Sequence, residues 1–221
     1  MSDRAGNNEI YVMKADGSGV TRLTNNAAND EAPTWSPDGS RIAFASTRQS
    51  TYRQIYVMRA DGSNVIRLTQ NTASEIHPSW SPDGTKIAFQ HYAHRIVNRQ
   101  IVFNSDIAVM PAGGGNIIQL TQTGHEREPA WSFDGTKIVF TSTRDGLAEI
   151  YKMNANGTGV GRLTNNTVND LSPTWSPDGT KIAFESDRNG NPEIYVMNAS
   201  GSGVTRLTTN SVFDGQPAWG P

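Results

Sequence analysis

The chain contains no cysteine, which excludes disulfide staples, thiol nucleophiles and cysteine-ligated metals. It also lacks an excess of either charge: 19 basic side chains stand against 21 acidic ones, a formal net charge of −2. So balanced a surface has no electrostatic footprint for nucleic acid or an anionic membrane. No apolar run is long enough to cross a bilayer as a helix, so membrane insertion is not expected. Met1 to Gly6 lacks the apolar core of a secretory signal. No segment of helical length keeps a 3.6-residue apolar period. The Gly-x-Ser-x-Gly elbow of hydrolases and glycine-rich phosphate loops are both missing. Glycine is not scarce, and its clusters fall between short apolar segments, which reads as turns rather than disorder.

What is present is a repeat. Tryptophans stand at Trp35, Trp80, Trp131, Trp175 and Trp219, at intervals of 45, 51, 44 and 44 residues. A period of this size marks a repeat architecture. Within one period, Pro173 to Ser176 is closed by Pro177-Asp178-Gly179, a turn in which proline fixes φ and glycine takes the left-handed position. Lys181 to Glu185, Ile194 to Met197 and Val204 to Thr208 follow, each bounded by Gly, Asn or Pro. Four short strands at this spacing predict an antiparallel meander. One such sheet cannot bury both faces, and radial stacking of copies can, which predicts an all-β propeller of four-stranded blades. The five tryptophans are then structural, since each aromatic side chain removes roughly 150–250 Å² from water.

These residues resemble the TolB-like β-propeller repeat, a WD40-like family of PD40 type. The shared pattern is Pro-x-Trp-Ser-Pro-Asp-Gly, Ile-Ala-Phe, Ser-x-Arg, Ile-Tyr-Val-Met and Leu-Thr. Trp-Ser-Pro-Asp-Gly is intact at 35–39, 80–84 and 175–179, and at 131–135 Phe133 replaces the proline. The third-strand motif begins at Ile10, Ile55, Ile107, Ile150 and Ile194. The resemblance covers essentially the whole chain and implies one domain over residues 1–221. It further implies an extracytoplasmic (periplasmic or secreted) protein-binding or scaffold module rather than an enzyme. Some relatives are lyases or stand beside peptidases, so a metal-dependent lyase or a hydrolase accessory domain is the distant alternative.

Phase counting gives four complete blades. The N-terminus adds the third and fourth strands of another, and the C-terminus its first strand. The expectation is a five-bladed ring whose last blade is shared between the termini and lacks its second strand. Joining two free edges in this way would act as a clasp. A fragment of a larger ring, or an open ring completed by self-association with a second copy, are the alternatives. The near-verbatim repeats also read as recent duplication or a designed sequence, leaving any distinctive function to repeats two and three.

Two constellations are candidate binding sites. Five residues before each tryptophan stands an acid: Asp30, Glu75, Glu126, Asp170 and Asp214. With His77 and Glu128, three before their tryptophans, they predict an oxygen-rich ring at one channel mouth. Such a ring suits a divalent cation such as calcium or magnesium. The opposing reading pairs the acids with the Ser-x-Arg arginines Arg4, Arg48, Arg144 and Arg188. Blade two lacks that arginine, which leaves Glu75 or Glu126 free. His77 and His125 with Glu126 and Glu128 could ligate a transition metal. The second constellation is the blade-two insert, where the family turn gives way to a stretch holding His91, Tyr92, His94, Arg95, Arg99 and Phe103. Loops on rigid scaffolds carry specificity, and aromatic and arginine side chains anchor protein or peptide partners. Asp187-x-Asn189-x-Asn191-x-Glu193 echoes part of a calcium loop but reads better as a hairpin turn.

Overall fold

The computed structural model describes residues 1–4, 6–97 and 99–219, the side chains of 95–97 excepted. A short hairpin, β1 (Tyr11–Val12) and β2 (Thr21–Arg22), opens the chain. Blade one comprises β3 (Asp30–Trp35), β4 (Arg41–Ser46), β5 (Gln54–Arg59) and β6 (Ile66–Arg67). Blade two comprises β7 (Ser74–Trp80), β8 (Lys86–Val97), β9 (Gln100–Pro111) and β10 (Ile118–Gln119). Blade three comprises β11 (Glu126–Trp131), β12 (Lys137–Ser142), β13 (Glu149–Asn154) and β14 (Gly161–Arg162). Blade four comprises β15 (Asp170–Trp175), β16 (Lys181–Ser186), β17 (Glu193–Asn198) and β18 (Thr205–Arg206). Each blade is a four-stranded antiparallel meander in sequence order, as the turn spacing predicts.

The blades are held by three apolar seams. Ala43, Ala45, Ile55 and Val57 of blade one meet Trp80, Ile87, Phe89 and Met110 of blade two. The same positions recur between blades two and three, with Trp131, and between blades three and four, with Trp175. Along each second strand, alternation sends Ile and Phe back to the preceding blade and the small residue between them forward to the next tryptophan. A fourth cluster joins Ile10 and Leu23 of the first hairpin to Ile42, Phe44, Tyr56 and Met58 of blade one.

The outer rim is sealed by glycine. A Cβ on Gly201 would lie 2.7 Å from the Leu163 carbonyl oxygen of the preceding blade, and one on Gly157 would lie 2.8 Å from that of Leu120. Only a glycine permits that approach, at a backbone φ of +91° for Gly201.

The place expected for the fifth blade differs from the other four. The first hairpin has two strands, and residues 212–219 form no ladder among the described residues, so Trp219 does not stand in a paired strand. The segment still docks on blade four. The Asp214 amide donates to the Pro192 carbonyl at 3.0 Å, and Trp219 Nε1 donates to the Thr174 carbonyl at 3.3 Å. With no second strand to cover them, Trp219 is 38% exposed and Trp35 48%, against 6–9% for Trp80, Trp131 and Trp175. Leu207 is exposed, and Gly17, in the rim position of the first hairpin, has no atom near its Cβ direction.

Candidate functional site

Each blade's first strand carries the same defect. The ladders β3–β4, β7–β8, β11–β12 and β15–β16 skip register between Glu31 and Thr34, Ile76 and Ser79, Arg127 and Ala130, and Leu171 and Thr174. Inside each gap lies a non-glycine residue with positive φ: Ala32 at 50°, His77 at 51°, Glu128 at 57° and Ser172 at 51°, matched in the C-terminal segment by Gln216 at 53°. Proline follows each of them and bars the right-handed helical region to the residue before it. A left-handed non-glycine residue costs roughly 1–2 kcal/mol, so five in phase are held there by the scaffold.

All five line one cavity of about 690 Å³, together with Pro33, Pro78, Pro129, Pro173 and Pro217. Glu31 and Arg53 add charged groups to its wall, which Met1 also lines. Glu128 Oε2 accepts from the Ser172 amide at 2.8 Å and Thr141 Oγ1 at 2.9 Å. His77 Nδ1 lies 3.1 Å from Gln90 Oε1, and Gln90 Nε2 donates to Ser105 Oγ at 2.7 Å. Glu31 accepts from Arg53 Nε at 2.7 Å and Asn8 Nδ2 at 3.2 Å. Burial pushes the Glu31 carboxyl up, but those two donors and the Arg53 charge outweigh it and hold it below its ordinary range. Burial pushes Glu185 up, the Gln216 amide opposes that, and the Glu128 and Asp187 charges add to the rise.

Of the predicted mouth residues, His77 and Glu128 face the cavity and the five acids do not. Asp30, Glu75, Glu126 and Asp170 are wholly buried in the seams. Arg48 Nη2 donates to Asp30 at 2.6 Å, Arg144 to Glu126 at 2.8 Å and Arg188 to Asp170 at 2.8 Å. The same guanidiniums cap the aromatic pairs Phe44–Tyr56, Phe140–Tyr151 and Phe184–Tyr195. Neither Glu126 nor Glu75 is free. Glu75 takes Asn71 Nδ2 at 2.7 Å and His91 Nδ1 at 2.9 Å, so histidine stands in for the missing arginine. That hydrogen bond raises the His91 pKa above its ordinary value, against the effect of burial. Asp214 accepts from Asn210, and Arg4 is turned to Ser2. The correction follows from the bulge. A strict two-residue alternation puts positions five and three before tryptophan on one face. One left-handed residue breaks the alternation, sending position three into the channel and position five into the seam.

His125 is exposed and separate from the cavity, and no group of three His, Asp or Glu side chains among the described residues is placed to hold a metal. The calcium-like stretch is a turn, in which the Tyr195 hydroxyl donates to Asn189 Oδ1 at 2.6 Å and Asn191 Nδ2 to Glu193.

The sequence reading missed a second set of buried acids, Glu9, Asp106, Glu149 and Glu193, each one residue before the isoleucine of the third-strand motif, where blade one carries Gln54. Glu149 accepts from Arg162 Nη2 at 2.7 Å, Thr164 Oγ1 at 2.5 Å and the Asn166 amide at 2.8 Å. Glu9 and Glu193 repeat this set. Its signal was legible in the phased Glu, Arg-Leu-Thr and Asn positions.

The blade-two insert is a long hairpin. β8 and β9 continue in register past the blade, from Tyr92↔Ser105 to Val97↔Gln100. Tyr92 and Phe103 stack at 5.6 Å, His94 tilts onto Phe103 at 6.3 Å, and Tyr52 stacks on His94 at 6.4 Å. Tyr92, Phe103 and Ile101 are exposed. Arg99 is an exposed left-handed residue at the hairpin tip, and the Arg95 side chain lies outside the described residues.

No curated protein matches the chain in sequence. Among solved structures, TolB from Acinetobacter baumannii is 24% identical with a TM-score of 0.77 over 93% of this chain and 50% of that one. A TolB from Agrobacterium tumefaciens, itself a tentative assignment, is 26% identical with a TM-score of 0.73 over 88% and 71%. An oligogalacturonate lyase from Vibrio parahaemolyticus is 13% identical with a TM-score of 0.64 over 92% and 60%, a likeness of fold alone. The chain thus spans half the length of the Acinetobacter protein. The model of the TolB beta propeller domain, PD40, matches residues 1–107 and 123–221. With that match across nearly all of its repeats, the chain belongs to the TolB beta-propeller domain family.

Proposed function

We propose that this chain is a non-catalytic binding module, a single five-bladed propeller that engages a protein or peptide segment at its channel mouth. The observation that carries the reading is the ring of left-handed residues around the 690 Å³ cavity. Backbone strain persists where the surrounding structure imposes it, and it clusters at ligand sites. The volume falls within the range of ligand pockets. Five prolines give a stiff apolar wall, and Glu31, His77 and Glu128 offer a few fixed polar groups on it. That composition suits an extended segment with an apolar side chain and flanking hydrogen-bonding groups. The exposed Tyr92, His94 and Phe103 of the insert hairpin supply a second contact surface for the same partner. Membership of the TolB family supports such a role outside the cytoplasm.

The test is selection of displayed dodecapeptides on the chain, followed by calorimetry on two variants. His77→Ala and Glu128→Gln are each expected to weaken selected peptides by up to about tenfold, the loss of one hydrogen bond, with Tm measured alongside to separate that loss from the structural bonds of Glu128 to Ser172 and Thr141. Peptides that bind both variants as tightly as the parent would disprove the reading.

A further inference from the structure

We infer that the free edge of β1 accepts a β-strand from a separate segment. The strand it fits is extended, with a small residue between two large apolar ones, as in Ile182-Ala183-Phe184 of β16. This goes beyond the channel reading and does not depend on it.

Four observations carry the inference. The first is the edge. Ile10 directs its backbone to the β2 side: its carbonyl accepts from the Leu23 amide at 2.8 Å, and its amide donates to Thr24 Oγ1 at 2.9 Å. Strand alternation therefore points the N–H and C=O groups of Tyr11 and Met13 the other way, where β1 has no partner strand among the described residues. The second is a groove of about 260 Å³ along that edge, walled by Ile10 to Met13 on one side and Pro33, Trp35 and Ile42 on the other.

The third is Trp35. Each buried tryptophan shares its seam with a small or β-branched residue of the preceding blade's second strand: Ala43 with Trp80, Ala88 with Trp131 and Val139 with Trp175. Among the described residues Trp35 has no such neighbour, and it is half exposed. The incoming small side chain belongs there. The fourth is continuity. Ser2 and Glu9 form an antiparallel bridge, the counterpart of the Ser186↔Glu193 rung that closes the β16–β17 ladder. An incoming strand would continue a ladder already begun, with its phenylalanine opposite Tyr11 and its isoleucine opposite Met13, as Phe184 and Ile182 stand opposite Tyr195 and Met197.

A second copy of the chain is the poorer occupant. Its own second strands, β4, β8, β12 and β16, are each flanked by partners on both sides and would have to leave a finished blade.

The experiment adds a capped hexapeptide, Gly-Thr-Lys-Ile-Ala-Phe, the sequence of residues 179–184, to the 221-residue chain. Saturable binding is expected, with exchange of the Tyr11 and Met13 amides slowed by about tenfold or more and a blue shift of tryptophan emission. In Trp35→Phe the emission change should vanish while the amide protection remains. A peptide N-methylated at Ile and Phe should not bind. The inference is overturned by absence of saturation, by equal binding of the N-methylated peptide, or by protection that spares Tyr11 and Met13. It is equally overturned by a dimer in light scattering whose Tyr11 and Met13 amides are protected before any peptide is added. None of these outcomes bears on the channel mouth.

Discussion

At the scale of single residues, the molecule is organised by buried carboxylates whose charge is matched from the neighbouring strand. Asp170 is wholly buried, and both of its oxygens accept from Arg188. Removing one partner of such a pair leaves an uncompensated charge, at a cost of roughly 3–5 kcal/mol. Arg188→Ala is therefore expected to lower urea stability by about 3 kcal/mol, and Asp170→Asn in the same background to recover part of the loss. No recovery would mean that Arg188 acts mainly as the lid over Phe184 and Tyr195.

The third-strand acids give a pH dependence. Burial pushes Glu9 up, but Thr24, the Asn26 amide, Arg22 and Asn7 together bring its pKa down to about 2. Glu193 falls to about 2 chiefly through Thr208, with Arg206 and the Asn210 amide adding. A folded pKa below the unfolded one gives stability that is present above the ordinary glutamate value, about 4.3, and lost as pH falls below it. The contribution of these two glutamates to the urea midpoint should thus be lost between about pH 5 and pH 2. Glu9→Gln with Glu193→Gln should flatten the midpoint over that range, and an unchanged acid limb would place the effect elsewhere.

At the scale of elements, the repeat is a set of second strands that face two ways and turns that close the rim. The rim glycines allow a clean comparison. Gly201 and Gly17 both have positive φ, yet a Cβ on Gly201 meets the Leu163 carbonyl and one on Gly17 meets nothing. Gly17→Ala should cost about 1 kcal/mol, the left-handed penalty alone. Gly201→Ala should cost clearly more, because blades three and four must separate to admit the methyl group. Equal thermal shifts would show that the rim contact contributes nothing.

The elements also show where sequence reading works. The turns, strands and tryptophan seams follow from local chemistry, since Pro-Asp-Gly and Asn-Gly fix the chain within four residues. The insert was recognisable as a lengthened period, and its continuation as two paired strands followed from register that no local signal disturbed. The candidate mouth was half legible. His77 and Glu128 lie at the cavity, but the acids two residues earlier do not, because the bulge between them reverses the facing of the strand.

At the scale of the whole molecule, stability should be uneven around the arc. Blades two and three are covered on both sides, while the first hairpin and residues 212–219 are covered on one. Trp131→Ala should cost about 3–5 kcal/mol, the range for a buried aromatic. Trp219→Ala should cost well under half of that, since Trp219 is 38% exposed. Hydrogen exchange should reach residues 10–24 before residues 137–154. Uniform exchange, or equal costs for the two tryptophans, would mean that the seam at β1 is closed in solution.

The sequence by itself determined the blade: its strands, its turns and the tryptophan seams between the four complete blades, because each rests on contacts between neighbours or on a repeat in phase. Only the tertiary structure decided which polar groups face the axis and which are buried. That assignment depends on one left-handed residue per blade and on a partner arginine 18 residues away along the chain, and neither alternation nor composition encodes the facing of a side chain across a bulge.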